Sequence, residues 1–237
     1  MQARLASTVL WTVAACGGGS LDPGAGNSGG TGSKTLSVDG SARASPRQIN
    51  ARAPADFDTD FSVRASLGTQ AVTSGTVTVT SASGKTTLTV RGDNRWTGSA
   101  PGYDQVYVLD VVSGTDKLEG VRVDGPDIHV FTHPSEGETV DATMPLPIAW
   151  DRGEKADTAA MHAENIDSIA ISDTGTYSLA PGALRTDKAL ARPNTLRLTR
   201  TNRVVPAGAT ADSTWTVSVD NTLDVVAQPQ ATPLVAR

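Results

Sequence analysis

The chain has 237 residues, with 20 Lys+Arg against 25 Asp+Glu, a formal charge of −5 and only 4% aromatic residues. No Lys/Arg run interrupts that acidic balance, which excludes the phosphate-neutralising surface that nucleic acid requires. The single cysteine, Cys16, excludes an intramolecular disulfide, so the body depends on its hydrophobic core.

In chain order, a weakly basic start with Arg4 leads into the short apolar run Leu5–Val13 and the small residues Ala14-Ala15. Charge, apolar stretch and small residues are the layout of an export leader over 1–15. The run is too short to span a bilayer. Gly17-Gly18-Gly19 ends it abruptly. From Cys16 to Ser33 the composition is Gly/Ser/Asn-rich, which predicts a flexible tether whose ends lie about 20–25 Å apart. Gly26-Asn27-Ser28-Gly29-Gly30 satisfies G-x-S-x-G, but a nucleophile elbow needs a strand before the serine and a helix after it. Neither is predicted there, so Ser28 is not assigned a catalytic role.

From residue 34 the hydrophobic period becomes two. Phe61, Val63, Ala65 and Leu67 alternate with polar residues, as do Val77/Val79, Leu88/Val90, Tyr107/Leu109/Val111 and Val121/Val123. Turn residues bound each run, among them Ser83-Gly84, Gly92-Asp93-Asn94 and Gly125-Pro126. A second set runs from 126 to 228: Leu146/Ile148/Trp150, Ile169/Ile171, Tyr177/Leu179, Leu196/Leu198 and Trp215/Val217/Val219. The expectation is all-β, two antiparallel β-sandwich domains over 34–125 and 126–228, followed by a loose tail over 229–237. Residues 156–165 are the one stretch where a short helix competes with strand.

The candidate chemistry is sparse. Asp56, Asp58 and Asp60 have the spacing that opens a calcium loop, but Phe61 and Leu67 stand where an EF-hand needs Gly and Glu. They remain weak calcium candidates and no metal is assigned. His129 and His133 would lie about 13 Å apart along a strand, too far to share a zinc ion, and His162 has no metal-binding context. Gly84-Lys85-Thr86 lacks the first glycine of a phosphate loop, since Val79 stands there. Trp150 and Trp215 fall in phase with aliphatic residues and read as core. Trp96 and Tyr103 lie beside turns, where outward rings would make a ligand-stacking surface.

Val13-Ala14-Ala15-Cys16-Gly17 resembles the lipobox of bacterial lipoproteins. The resemblance implies a diacylglyceryl thioether on Cys16, cleavage before it and acylation of the new amine. Two or more acyl chains make such an anchor stable. The absence of Asp after Cys16 is what that resemblance associates with the outer membrane. Pro145-Leu146-Pro147-Ile148-Ala149-Trp150 and Asp173-Thr174-Gly175-Thr176-Tyr177 resemble strands of exported immunoglobulin-like or fibronectin type III-like modules, of the kind without a disulfide. The expectation is therefore an exported, membrane-anchored, non-enzymatic protein of the outer membrane or cell surface. It would have no cofactor and would act as a spacer or protein-interaction unit. A carbohydrate- or peptide-binding module is the alternative.

Overall fold

A computed structural model describes residues 21–187 and 190–228. Cys16, the expected leader over 1–15 and the expected loose tail over 229–237 lie outside the described residues. The strands are β1 (Ser28–Gly32), β2 (Leu36–Pro46), β3 (Phe57–Leu67), β4 (Gln70–Ala71), β5 (Thr76–Ser81), β6 (Gly84–Thr87), β7 (Thr89–Val90), β8 (Trp96–Pro101) and β9 (Val106–Ser113). They continue with β10 (Asp116–Asp124), β11 (Val130–His133), β12 (Thr139–Asp141), β13 (Leu146–Asp151), β14 (Thr158–Ala163), β15 (Ile166–Ile171), β16 (Thr176–Leu179), β17 (Arg192–Val204) and β18 (Thr214–Gln228). One 3₁₀ turn, Pro54–Asp56, precedes β3. The protein is all-β, as the alternating runs predict. Residues 158–163 form a strand rather than a helix, because β15 and β17 pair with both edges of β14.

Three sheets result. One has the order β1-β10-β9-β5-β6, one β11-β13-β16, and the largest contains β15-β14-β17-β18-β2-β3-β8-β7. Most pairings are antiparallel, but β2 and β12 both lie parallel to β18. The sheets enclose two hydrophobic clusters. The first holds Phe57, Phe61, Leu109, Val121 and Trp215, and the second Phe131, Ile148, Trp150, Leu196 and Leu223.

The expected cut at 125/126 does not separate them. Trp215, Val217 and Val219, from the far end of the chain, pack in the first cluster. Leu223, Val225 and Ala227 of the same strand pack in the second. The cause is the length of β18, 15 residues, which at ~3.4 Å per residue reaches about 50 Å. It pairs with β17 without a break from Arg192↔Ala227 to Val204↔Trp215. One hairpin therefore runs through both cores.

The expected tether to Ser33 is also corrected. Ser28–Gly32 is a strand on the edge of its sheet, in register with Leu118–Arg122. Its other side lies against the loop at 205–208, where the Ala207 amide donates to the Gly29 carbonyl at 2.8 Å. Glycine is required by this fit. A Cβ on Gly30 would stand 2.3 Å from the Glu119 carbonyl oxygen, and one on Gly32 2.4 Å from that of Gly208. What reads as low complexity is a strand thin enough to fit between two backbones. Just before it, the Gly24 and Gly26 amides each donate to Asp124 Oδ2 at 3.0 Å. Arg122 Nη2 donates to the Asp22 carbonyl at 2.6 Å. The chain is thus fastened to the body from Asp22 onward.

Candidate functional site

The aromatic pair expected to face outward is buried. Trp96 and Tyr103 are each 5% exposed and belong to the first core. Trp96 Nε1 donates to the Val72 carbonyl at 2.8 Å, and the Tyr103 hydroxyl to the Pro126 carbonyl at 2.5 Å. Trp96 sits in β8 with the inward parity of Val63 opposite it. Tyr103 tilts between Phe57 and Tyr107, 6.2 Å from each ring. Neither ring offers a stacking face to a ligand. Burial raises the Tyr103 hydroxyl well above its ordinary range.

The three aspartates part company. Asp56 Oδ2 accepts from the Ala53 amide at 2.8 Å and the Arg52 amide at 3.0 Å, bonds that hold its carboxyl below the usual range. Asp58 accepts from Arg47 Nε at 2.8 Å, with the same effect. Asp60 follows on the outer face of β3. The residues stand on a turn and a strand rather than around one centre.

His129 is fully buried, edge-on to Phe131 with ring centroids 6.0 Å apart. Burial, then the nearby Arg200 charge, pulls its pKa down to about 3, so the ring is neutral in the fold. His133 lies four residues beyond His129, at the end of β11. His162 lies on β14, its Nδ1 against the Asp167 carbonyl.

His129 belongs to a buried polar cluster where the two cores meet. Arg200 has no exposed surface, although it follows Leu196 and Leu198 in inward phase on β17. Its guanidinium donates to Asp173 Oδ2 (3.0 and 2.9 Å), the Asp127 carbonyl (2.7 Å) and the Glu154 carbonyl (2.5 Å). Burial pushes the Asp173 carboxyl up. Hydrogen bonds from Arg200 and the Ala156 amide outweigh that, and the carboxylate is retained. Asn221 donates to the Ala51 and His129 carbonyls at 2.8 and 2.6 Å. These donors end on backbone carbonyls and a single carboxylate, the pattern of a structural plug that satisfies loop backbone.

The accessible polar site lies on the outer face of the large sheet. Thr89, Thr97, Ser62, Ser41 and Thr216 stand in one row across β7, β8, β3, β2 and β18. At ~4.8 Å between strands the row covers about 19 Å. At its β7 end the turn Arg91–Arg95 is closed by the Arg91 amide on the Arg95 carbonyl (2.7 Å), with Asn94 in the left-handed region at φ 59°. That turn places Arg91, Asp93 and Arg95 over the sheet beside Arg64. Arg91 Nε donates to Thr97 Oγ1 at 3.0 Å and Arg95 Nη1 to Ser62 Oγ at 2.9 Å. Asp93 Oδ2 lies 3.5 Å from Arg95 Nε and 3.9 Å from Arg64 Nη2. An open groove of about 560 Å³ runs between Asp60, Ser62, Thr89, Arg91, Arg95 and Ser99. A second hollow of about 320 Å³ adjoins it at Asp93, beside Asp39 and Arg64. Two arginines bracketing a tight turn were the sequence signal for this site.

No protein-family model matches the chain, and a search of curated proteins finds no match.

Proposed function

We propose that the chain is an exported protein anchored through acylated Cys16, and that it acts by contact as a rigid envelope spacer or interaction unit rather than by chemistry. The observation that supports this reading best is the β17–β18 hairpin, which threads both cores in unbroken register. A body built on one such hairpin resists bending between its cores. The docking of Asp22 supports it further. Five residues lie between Cys16 and Asp22, a six-step reach of at most about 20 Å, so the body would sit close to the lipid surface. The fastening point, Arg122–Asp124, precedes the connection between the two cores, so the leash would leave the body at its waist.

Mass spectrometry of the mature protein tests the anchor. A chain beginning at Cys16 with added acyl mass, and loss of membrane sedimentation in Cys16→Ser, are the expected results. A mature protein that starts at Met1 without acyl mass would remove this reading.

A further inference from the structure

We propose that the groove between β3, β7 and β8 binds a carboxylate-bearing polysaccharide, a polyuronate, with a sugar carboxylate seated at Asp93, where the groove meets the adjoining hollow, between Arg95 of the groove and Arg64 of the hollow. This site goes beyond the anchor and holds whether or not Cys16 is acylated.

The argument begins with Asp93. Its carboxylate lies between two guanidinium groups, but at 3.5 and 3.9 Å its contacts are longer than the ~2.7–2.9 Å of a charge-assisted hydrogen bond. Arg95 Nε is buried and lacks a hydrogen-bond partner of normal geometry among the described residues. Arg64 is 56% exposed. The two arginines therefore have donors to spare, and a guanidinium offers them in the planar fork that fits a carboxylate. Asp93 stands where an incoming carboxylate would go, held loosely enough to be displaced.

The groove walls select the rest of the ligand. Ser62, Thr89, Thr97 and Ser99 line it with hydroxyls, of which Ser62 and Thr97 already accept from Arg95 and Arg91 and keep their O–H groups to donate, and Asp60 adds an acceptor for a sugar hydroxyl. Its one aromatic lining residue, Phe61, is buried in the core, so the groove lacks the exposed ring on which a nucleic-acid base would stack. β7 has only two residues, too little edge for an extended peptide to add a strand. An open trough rather than a closed cavity suits a chain that enters at one end and leaves at the other.

The test is fluorescence anisotropy of labelled oligogalacturonate with the full-length protein in detergent, at low ionic strength. Binding is expected, with none to dextran of equal length. Arg64→Gln and Arg95→Gln should each weaken it by about tenfold or more, and Asp93→Asn, which removes the competing carboxylate, should tighten it. Arg203→Gln, an exposed charge on β17 outside the groove, should leave it unchanged. Arg64 is exposed enough that its variant keeps the wild-type urea midpoint, which separates lost binding from lost folding. No binding, equal loss in Arg203→Gln, unchanged affinity in folded Arg64→Gln, or weaker binding in Asp93→Asn would each overturn the site. None of these outcomes alters the acyl mass at Cys16, so the anchor is judged separately.

Discussion

Arg200 Nε and Nη2 both donate to one oxygen of Asp173, at 3.0 and 2.9 Å, in a pair with almost no solvent-accessible surface. The same guanidinium holds carbonyls at Asp127 and Glu154, so one side chain ties β17 to the chain that passes from the first core into the second. A buried pair of this kind gives little net stability over a well-packed apolar one, but either half alone is costly. Arg200→Met should lower unfolding free energy by about 3–5 kcal/mol in urea titration, and the double variant Arg200→Met/Asp173→Leu should recover part of that loss. Equal loss in single and double variants would mean that the carbonyl contacts, not the ion pair, dominate.

His129 predicts an acid limit. Its folded pKa of about 3 lies below the ordinary ~6.5, so the unfolded chain binds the extra proton between those values. The contribution of a neutral ring is fully present above pH 6.5 and declines as pH falls toward 3. The slope for one group is about 1.4 kcal/mol per pH unit, or about 2 kcal/mol between pH 6.5 and 5. His129→Phe should flatten that part of the stability–pH curve. A variant with the same slope as wild type would move the acid sensitivity to other groups.

Tyr103 separates a structural role from a binding one. Its hydroxyl is the partner of the buried Pro126 carbonyl, and Tyr103→Phe leaves that carbonyl unpaired at about 1–3 kcal/mol. The expected result is a lower urea midpoint with unchanged oligogalacturonate binding. A folded Tyr103→Phe variant with altered binding would return the ring to the site.

Period-two alternation made most of the strands legible. Phe61, Val63 and Ala65 point inward because each lies two residues from the last, and Trp215, Val217 and Val219 do the same. The same rule held the signal for Arg200, a charge in phase with Leu196 and Leu198. Pairing was less legible. The parallel contact of β2 with β18 joins Ala42 to Val217, partners far apart in the chain, and no local pattern encodes it. The groove was hidden for a similar reason, since Arg64 meets Asp93 only after β3 and β8 pair. The strand Ser28–Gly32 was masked by composition. Glycine there signals flexibility by propensity, and only the carbonyls of Glu119 and Gly208 show that it answers a steric demand.

That steric demand is open to test. Gly30 has φ 64° with the Glu119 oxygen 2.3 Å from an added Cβ, and Gly32 meets the Gly208 and Lys117 oxygens at 2.4 Å. Backbone atoms on both sides leave nothing that can swing aside. Gly30→Ala and Gly32→Ala should each cost about 1–3 kcal/mol, whereas Gly92→Ala, whose Cβ meets nothing within 4 Å, should fall within about 0.5 kcal/mol of wild type. The more telling readout is limited proteolysis between residues 22 and 33. Peeling β1 away lengthens the free chain after Cys16 from six residue steps, ending at Asp22, to eighteen, ending at Lys34, a coil of about 24 Å. With Cys16 acylated as proposed, a dye on the body of the vesicle-reconstituted protein should then move away from a quencher in the lipid headgroups. Faster cleavage without that displacement would show that Arg122 and Asp124 hold the leash without help from the strand.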